Sequence, residues 1–391
     1  MQIQSGNSPQ RGFALPVVAN ASDAHANSTL PTSSCEPIDV RNQRLLGFAD
    51  APQRLAIADQ TLRDALSVLN DTFTRTGSIE AALERVLQGS GAGNSRSTCT
   101  RRSAGPAESI TSSRPPTHWL RLILHEAVQR PPAVVMKRYI TNCGDHDATR
   151  FTSIHDEDYA VKGGKRQACS GEMLFAEQVA GHLGKALGAP VSDVALAIVP
   201  HEVLETVPVH RSAFPTPTHA SRWIPDCASA QDEANGGAWQ TSGYAGKSSE
   251  AMANLPQNAN RLASFIVLTN WLGIIDQQLL LQKGSNLIYS VDHGCVIHNC
   301  KPQQPGTITA NEKTSSFWCD DRQALLRAVD RLHGISDHTI AHAIAAAPFD
   351  WGASLAQRVV YAQHLAALRD NLSVSVHGSV ETKHAQRVGS R

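Results

Sequence analysis

The sequence lacks an excess of charge of either sign, and it also lacks long apolar runs. Its 391 residues carry 35 basic and 35 acidic side chains. A protein dedicated to nucleic acid usually has a basic excess that neutralises phosphates, so this balance argues against a nucleic-acid partner. No stretch approaches the roughly 20 apolar residues that a membrane-spanning helix needs. The N-terminus has no basic region followed by a continuous apolar segment, so we expect no classical secretory signal.

The eight cysteines are too few and too scattered for a disulfide scaffold in a chain of this length. We interpret them as reduced thiols of a cytosolic protein. The tightest group comprises Cys295, His298, Cys300 and Cys319, whose side chains would suit zinc chemically. Their spacing matches no common zinc pattern, so we do not predict a zinc site.

Composition divides the chain into five segments. Residues 1–50 are rich in Ser, Asn, Pro, Ala and Thr and are predicted to be disordered, because they cannot bury enough apolar surface to offset the cost of ordering. Two helical patterns predict a hairpin over 51–90. A Ser, Gly, Pro and Arg linker follows over 91–116. The main folded domain is expected at 117–372, and a flexible tail at 373–391.

The main domain begins with two short runs of β-branched and apolar residues, HWLRLILHEAV and PAVVMKRYI, which we interpret as strands, and with a strand pair that ends at Lys162. A helix, GEMLFAEQVAGHLGKALGAPV, and a buried strand, VALAIVP, come next. A strongly apolar helix, ANRLASFIVLTNWLGII, precedes a strand, turn and strand in NLIYSVDHGCVI. From Asp321 the pattern is helical. This order predicts an α+β fold of two lobes, the C-terminal one mostly helical.

Four charged residues fall in an order that suits phosphoryl transfer. This chemistry needs a cation on the phosphates, a carboxylate that holds it, metal ligands, and often an Asp near the acceptor. Lys162 ends a strand, Glu177 lies on the next helix, Asp276 closes the apolar helix, and Asp292 precedes a glycine turn in SVDHG. Each also has a structural alternative: a solvated lysine, an exposed helical glutamate, a helix-ending aspartate and a turn aspartate.

Several segments carry a resemblance to a known family. The stretch from YAVKGG to VALAIVP resembles the Lys strand and Glu helix of the HipA-like kinases, which are related to phosphoinositide-type and protein kinases. HASRWIPD, NWLGIIDQQLLLQKGSNLIYSVDHGCVI and the C-terminal segment ISDHTIAHAIAAAPFDWGASLAQRVVYAQHLAALRDNL resemble further parts of that family. The resemblance covers residues 117–372. It implies a two-lobed protein-kinase-like fold that uses ATP and Mg²⁺.

The resemblance also implies roles for the four residues. Lys162 would orient the α- and β-phosphates and would itself be held by Glu177, with Glu172 as the second choice for that partner. Asp292 would bind magnesium, and Asp276 would position the acceptor hydroxyl. The acceptor would be a protein Ser or Thr, or a lipid hydroxyl.

Two features depart from the family pattern. The family has an Arg after the catalytic Asp and an Asn about five residues on, whereas Asp276 is followed by Gln277 and Gln278, and Leu281 occupies the later position. Gln278 or Asn286 would then have to supply the metal-binding amide. There is also no glycine-rich phosphate loop. An active kinase and an impaired pseudokinase that acts as a binding module therefore both remain open.

The remaining expectations concern placement and neighbouring residues. A polar N-terminus joined to a kinase-like domain resembles bacterial effectors, so the protein is expected in the cytoplasm or, after export, in a host cell with a host protein as partner. His293 is expected to be a satisfied core or turn histidine, and Lys137 an outward-facing strand residue. Arg222 either touches phosphate or lies on the surface.

Overall fold

The computed structural model describes residues 59–91, 114–143, 148–163, 171–207, 214, 216–229, 256–274, 278–294 and 321–388. The predicted tail at 1–50 and most of the predicted linker lie outside these ranges. The helices are α1 (Gln60–Thr76), α2 (Ile79–Gly91), α3 (Pro116–Val128), α4 (Gly171–Leu187), α5 (His201–Leu204), α6 (Ala259–Leu272), α7 (Arg322–His333), α8 (Asp337–Ala346) and α9 (Leu355–Val388). The strands are β1 (Val134–Cys143), β2 (Ala148–Ser153), β3 (Asp158–Lys162), β4 (Val194–Ile198), β5 (Thr218–Arg222), β6 (Cys227–Ser229), β7 (Gln278–Gln282) and β8 (Ile288–Val291).

Five strands close into a small barrel in the order β1-β2-β3-β5-β4. The β1–β2, β2–β3, β3–β5 and β4–β5 pairs are antiparallel, and a short parallel pairing of β1 with β4 completes the closure. Apolar side chains fill its interior, among them Met136, Phe151, Val161 and Ala220. They alternate with outward-facing residues, because successive side chains in a strand point to opposite faces. Lys137 is one of the exposed residues, as predicted.

A second sheet of three antiparallel strands has the order β6-β7-β8. One isolated bridge joins Val191, which follows α4, to Ser290 of β8. This bridge ties the end of β8 to the segment that connects α4 to the barrel. Asp292, directly after β8, is thereby placed close to α4.

The helices share one large apolar core, separate from the barrel interior. It includes Trp119 of α3, Phe175 of α4, Trp271 of α6 and Leu365 of α9. The indole of Trp271 donates to the backbone oxygen of Leu365 at 2.9 Å, which satisfies its polar N–H inside the core. Strands and helices together confirm the predicted α+β class.

The segment HWLRLILHEAV, which the sequence grouped with the strands, forms helix α3. Its buried residues leave one polar stripe, in which the exposed Arg121 and His125 are four residues apart, as on one face of a helix. The short apolar run from Leu122 to Leu124 between them resembles a buried strand when it is considered alone. Pro116 opens the helix at a position that tolerates proline. The expectation of strands with a single helix before the apolar helix was therefore wrong at this point.

Buried charges attach the α1–α2 helix pair to the rest of the chain. Asp59 is fully buried and caps α1 by accepting from the backbone N–H of Leu62. The same carboxylate accepts from the backbone N–H of Phe349 at 2.9 Å and from the guanidinium of Arg130 at 3.1 Å. Since charges are rarely buried without a partner, Asp59 and Arg130 stabilise each other across 71 residues of sequence.

A second buried arginine, Arg358 of α9, has backbone oxygens as its partners. Its guanidinium is packed 4.5 Å from the ring centroids of both Phe175 and Phe349. It donates to the backbone oxygens of Ala353, Ile344, Ala347 and Pro348. Burial, together with the nearby charge of Arg130, lowers the pKa of Arg358 to about 9.

Helix α9 has no break at Leu372, where the sequence placed the end of the domain. It continues to Val388. The segment after Leu372 contains no proline, and its glycine at position 378 does not end the helix. The boundaries of the five predicted segments otherwise stay a prediction.

Candidate functional site

Lys162 is the last residue of β3, and its surroundings in the sheet hold it firmly. It pairs with Ala148 of β2 on one side and with His219 of β5 on the other. The hydroxyl of Thr218 donates to its backbone oxygen. The side chain is only 16% exposed, so the ammonium group requires charged or polar partners within the protein.

Glu177 faces this lysine from the middle of α4. The helix lies close to the barrel because Gly181 has no side chain: a Cβ there would overlap the side chain of Val194 in β4. Gly184 similarly admits Val191. The close approach brings Glu177 against the end of β3 and leaves its carboxylate only 4% exposed.

Three charged groups from separate parts of the chain meet at this point. The ammonium of Lys162 forms an ion pair with Oε1 of Glu177 and a second one with Oδ1 of Asp292 at 2.7 Å. Lys162, Glu177 and Asp292 are three of the residues that the sequence singled out. The structure brings them together, and it places Glu177, the first choice, as the helical partner of the lysine.

The charges perturb one another strongly. Burial disfavours a charged ammonium, but the carboxylates of Glu177 and Asp292 outweigh burial and raise the pKa of Lys162. Burial likewise disfavours ionised Glu177, but Lys162 and then His293 outweigh it and hold the pKa of that carboxyl well below its usual range. With both carboxylates ionised and the lysine protonated, the group carries a net charge of −1. This surplus negative charge favours a cation near the group.

Asp292 is the most open member of the group, with 22% of its side chain exposed against 16% for Lys162 and 4% for Glu177. It adopts a left-handed backbone conformation, φ 63°, directly after β8. This conformation is uncommon for residues other than glycine, although Asp and Asn tolerate it best. Its second oxygen, Oδ2, accepts from the side-chain amide of Gln278 at 3.3 Å.

These residues fit a metal ion that also binds phosphate. Mg²⁺ prefers oxygen ligands and commonly uses one or two carboxylates together with substrate phosphates. Asp292 supplies the exposed carboxylate, and Gln278 supplies an amide beside it. Across the described ranges, no three or more His, Cys, Asp or Glu side chains form a metal-binding group by themselves. A metal at Asp292 would therefore depend on ligand or water oxygens for the rest of its coordination.

Two buried histidines line the group. His293 accompanies Asp292 in the turn, and its Nε2 lies 2.8 Å from the hydroxyl of Ser290. It is 5% exposed, in agreement with the predicted satisfied turn histidine. His219 is fully buried, and its Nδ1 has no hydrogen-bond partner in the described structure. Burial lowers the pKa of His219 to about 3, so this ring is neutral at physiological pH.

The remaining predicted residues are either outside the described ranges or away from this group. Asp276 and Gln277 are outside the described residues, as are Cys295, His298, Cys300 and Cys319. Asn286 is in the turn between β7 and β8, at the opposite end of β8 from Asp292, so it does not supply the amide at this site. Arg222 is a half-exposed residue that pairs with Glu157 at 2.6 Å, which favours the surface alternative.

Sequence reasoning did not find the contributions of Thr218, His219 or Ser290. Thr218 and His219 reach Lys162 because β5 pairs with β3, and Ser290 reaches His293 because β8 ends in a tight turn. The partner strand in a sheet is set by non-local pairing that no local pattern encodes. Burial does not alternate along β5, where Thr218, His219 and Ala220 are all buried, so the pattern of this strand gave no signal for His219.

The chain matches no protein-family model and no curated protein. Among solved structures it is similar to the Helicobacter pylori proinflammatory kinase CtkA, at 13% identity and a TM-score of 0.42, over 64% of this chain and 99% of that one. It is also similar to the Golgi casein kinase, at 11% identity and a TM-score of 0.37, over 68% and 77% of the two chains. The same kinase with Mn/ADP bound gives 12% identity and a TM-score of 0.37, over 67% and 75%.

All three TM-scores are below 0.5. In the part of the chain that the structure describes, no helix is long and apolar enough to cross a membrane.

Proposed function

We propose that the protein is an ATP- and Mg²⁺-dependent phosphotransferase that moves the γ-phosphoryl group to a hydroxyl of a protein Ser or Thr, or of a lipid. The observation that carries the proposal is the ammonium of Lys162, shared between the carboxylates of Glu177 and Asp292. A strand lysine, a helical glutamate and a later aspartate after a strand are three of the parts that phosphoryl transfer uses in kinases.

Lys162 is suited to bind the α- and β-phosphates. Its raised pKa keeps the ammonium charged over the whole physiological range. Glu177 is buried and fixes the lysine in place, so little reorganisation is needed when phosphate arrives. The lysine would then exchange its contact with Asp292 for the phosphate oxygens.

Asp292, once released from Lys162, would hold Mg²⁺. When bound, the metal would neutralise charge on the β- and γ-phosphates. Gln278 would contribute through its amide, which must turn its oxygen toward the cation in place of its N–H₂. Amide orientation in a side chain follows its hydrogen-bond partners, so the observed N–H₂ contact with Asp292 is the arrangement expected without a cation.

In the proposed reaction, the acceptor hydroxyl attacks the γ-phosphorus and the bond to the β,γ-bridging oxygen breaks. ADP leaves, and the proton of the hydroxyl passes to a general base. Asp276 is our proposed residue for orienting that hydroxyl and accepting the proton. Both cellular placements, the cytoplasm of the producing cell and a host cell, stay compatible with this activity.

The alternative function is a pseudokinase that binds a partner protein. It is favoured by the two glutamines that follow Asp276, where the HipA-like kinases that the sequence resembles have an Arg. An active enzyme is favoured by the retention of Lys162, Glu177 and Asp292 in mutual contact.

Two measurements separate the alternatives. Thermal unfolding would be followed with ATP and MgCl₂, with ATP and EDTA, and without ligand. Ligand at about 100 times its Kd stabilises the folded state by about 2.7 kcal/mol, so binding gives a readily measured shift. Transfer of label from γ-labelled ATP to the protein or to water then reports turnover. Binding without turnover supports the pseudokinase, and absence of both contradicts the nucleotide site.

A further inference from the structure

We propose that His293 is a positioning residue that fixes the Glu177 carboxylate and thereby couples the Asp292 turn to helix α4. The inference rests on the proposed function, in which Glu177 orients Lys162. His293 follows Asp292 directly and is 5% exposed. It occupies the space between the end of β8 and the helix that carries Glu177.

The partners of the His293 ring indicate which of its two nitrogens carries the proton. Its Nδ1 lies 3.7 Å from Oε2 of Glu177, and its Nε2 lies 2.8 Å from Oγ of Ser290. An ionised carboxylate only accepts hydrogen bonds, so the proton of the neutral ring belongs on Nδ1. Nε2 is then an acceptor, and the Ser290 hydroxyl donates to it. A single tautomer, inferred from its partners, suits both neighbours.

The series of contacts from Glu177 through His293 to Ser290 is anchored at Ser290. Ser290 is 1% exposed, and its backbone N–H donates to the backbone oxygen of Pro190 at 2.6 Å. Pro190 comes shortly after α4, so the series of contacts starts at Glu177 on α4 and returns to the segment that follows the same helix. Ser290 cannot move away from α4 without breaking this backbone bond.

The Glu177 end requires a second donor. Oε1 is engaged by Lys162, while Oε2 faces His293. A buried carboxylate with a donor on one oxygen only can rotate about its last torsion, since this torsion has a broad energy profile. A donor on Oε2 restricts that rotation and so fixes the position of Oε1, which contacts Lys162. His293 therefore acts on the lysine through Glu177.

The 3.7 Å separation is longer than a full hydrogen bond. Lys162 is drawn toward both carboxylates while it bridges Glu177 and Asp292. When phosphate takes the place of Asp292, the lysine and Glu177 are free to settle, and the contact with His293 can shorten. Catalytic hydrogen bonds are often long in a ligand-free protein and tighten in the complex.

Packing alone is the competing explanation for the buried histidine. A Cβ at Gly294 would lie 3.2 Å from Cε of Met173 and 3.4 Å from Oε1 of Glu177, so the turn lies directly on α4. A histidine that only fills space would be replaced adequately by an apolar residue of similar size. A histidine that positions Glu177 would be replaced adequately only by a residue that retains a donor toward Oε2.

The experiment compares His293→Leu, His293→Asn and His293→Gln. Asn keeps a polar group near the position of Nδ1, facing Glu177, and Gln keeps one near Nε2, facing Ser290. ATP affinity would be measured with EDTA present, so that the readout reports Lys162 and Glu177 rather than the metal. His201→Leu is the matched control, because His201 is 82% exposed on the short helix α5.

We expect His293→Leu to weaken ATP binding roughly tenfold or more, as is usual when a residue that orients a primary ligand is lost. His293→Asn should recover most of the loss, and His293→Gln little of it. Adding His293→Leu to Glu177→Ala should cause no further loss of affinity. Equal affinity of His293→Leu and the wild type, or a full additional loss in the double variant, would overturn the proposal.

A second measurement keeps the test independent of nucleotide. Thermal unfolding of the wild type, both single variants and the double variant forms a cycle that needs no ligand. If His293 and Glu177 interact, the Tm of His293→Leu/Glu177→Ala should fall by less than the sum of the two single losses. If wild-type protein binds no ATP, the proposed function fails, but the cycle still decides the inference: additive losses refute it.

Discussion

The ammonium of Lys162 lies 2.7 Å from Oδ1 of Asp292, although 130 residues separate them in the sequence. This contact joins the end of a barrel strand to the turn that follows the second sheet. Under the proposed function, Asp292 is already close to the position at which a bound phosphate would need a metal. Because the two residues are in contact, a substitution of either one also changes the surroundings of the other.

Asp292→Asn should weaken Mg²⁺-dependent ATP binding by at least about tenfold, or ~1.4 kcal/mol. Asn tolerates the left-handed backbone conformation of this position, so the substitution removes the charge and keeps the turn. Titration of ATP in MgCl₂ and in EDTA measures the effect, which we expect in MgCl₂. Asp193→Asn, on the exposed surface beside Lys185, is the control. Unchanged binding in Asp292→Asn would assign the residue to turn geometry alone.

Lys162→Ala and Glu177→Ala should each impair ATP binding, and the double variant should cost little more than the worse single one. The two residues act as a unit, and losses within a unit are non-additive. Lys162→Ala should also destabilise the fold by roughly 3–5 kcal/mol, because it leaves Glu177 buried without its counter-ion. Urea denaturation measures this second effect. Full additivity in binding would indicate that the pair does not work jointly.

The pH dependence of stability should show an acid limb that begins near the ordinary pKa of histidine, 6.5. His219 has a folded-state pKa of about 3, lowered by burial. Its depressed pKa contributes stability that is fully present above 6.5 and is lost as pH falls toward 3, because only the unfolded chain takes up the proton in this interval. The slope from this one group approaches 1.4 kcal/mol per pH unit.

His219→Gln should flatten that part of the acid limb, since Gln does not titrate. Urea denaturation at a series of pH values from 7 to 4 checks the result. His182, whose pKa burial lowers to about 4, contributes to the same limb, so some slope should survive in the variant. A limb of identical slope in both proteins would mean that His219 is not neutral and buried in solution.

Gly181→Ala should destabilise the protein by about 1–3 kcal/mol, the usual range for overpacking. The added Cβ would overlap Val194 and push α4 away from β4. Because α4 carries Glu177, ATP binding should weaken in parallel. Gly89→Ala is the control, since a Cβ at that exposed position of α2 meets nothing within 4 Å. It should stabilise by roughly 0.5–1 kcal/mol through helix propensity. A neutral Gly181→Ala would contradict the close helix–strand contact.

The sequence was most informative where function and local pattern coincide. Lys162, Glu177 and Asp292 each stand at a recognisable point of a strand, a helix or a turn, so their order along the chain predicted one shared site before any contact was known. Gln278 was chosen only as an amide near Asp276, and the structure brings it to Asp292 because β7 pairs with β8. The parts that were missed depend on pairings between distant segments, such as β3 with β5, which bring His219 beside Lys162.

Helix α3 was missed because its short apolar run was considered alone. Leu122 to Leu124 resemble a buried strand, whereas the exposed Arg121 and His125, four residues apart, and the opening proline indicate a helix. The buried pair of Asp59 and Arg130 was also beyond local reasoning. Each lies at an element boundary, where a charged residue ordinarily reaches water.

The position of Asp59 limits how the protein can be shortened. A version that starts after residue 50 keeps the aspartate, whereas one that starts at residue 117, the predicted domain boundary, removes the counter-ion of Arg130 and the acceptor of the Phe349 N–H together. Arg358, within the same crowded region, would then have one less negative charge nearby. The α1–α2 pair therefore cannot be removed without loss, because the helices that follow residue 117 depend on Asp59, which precedes them in the sequence.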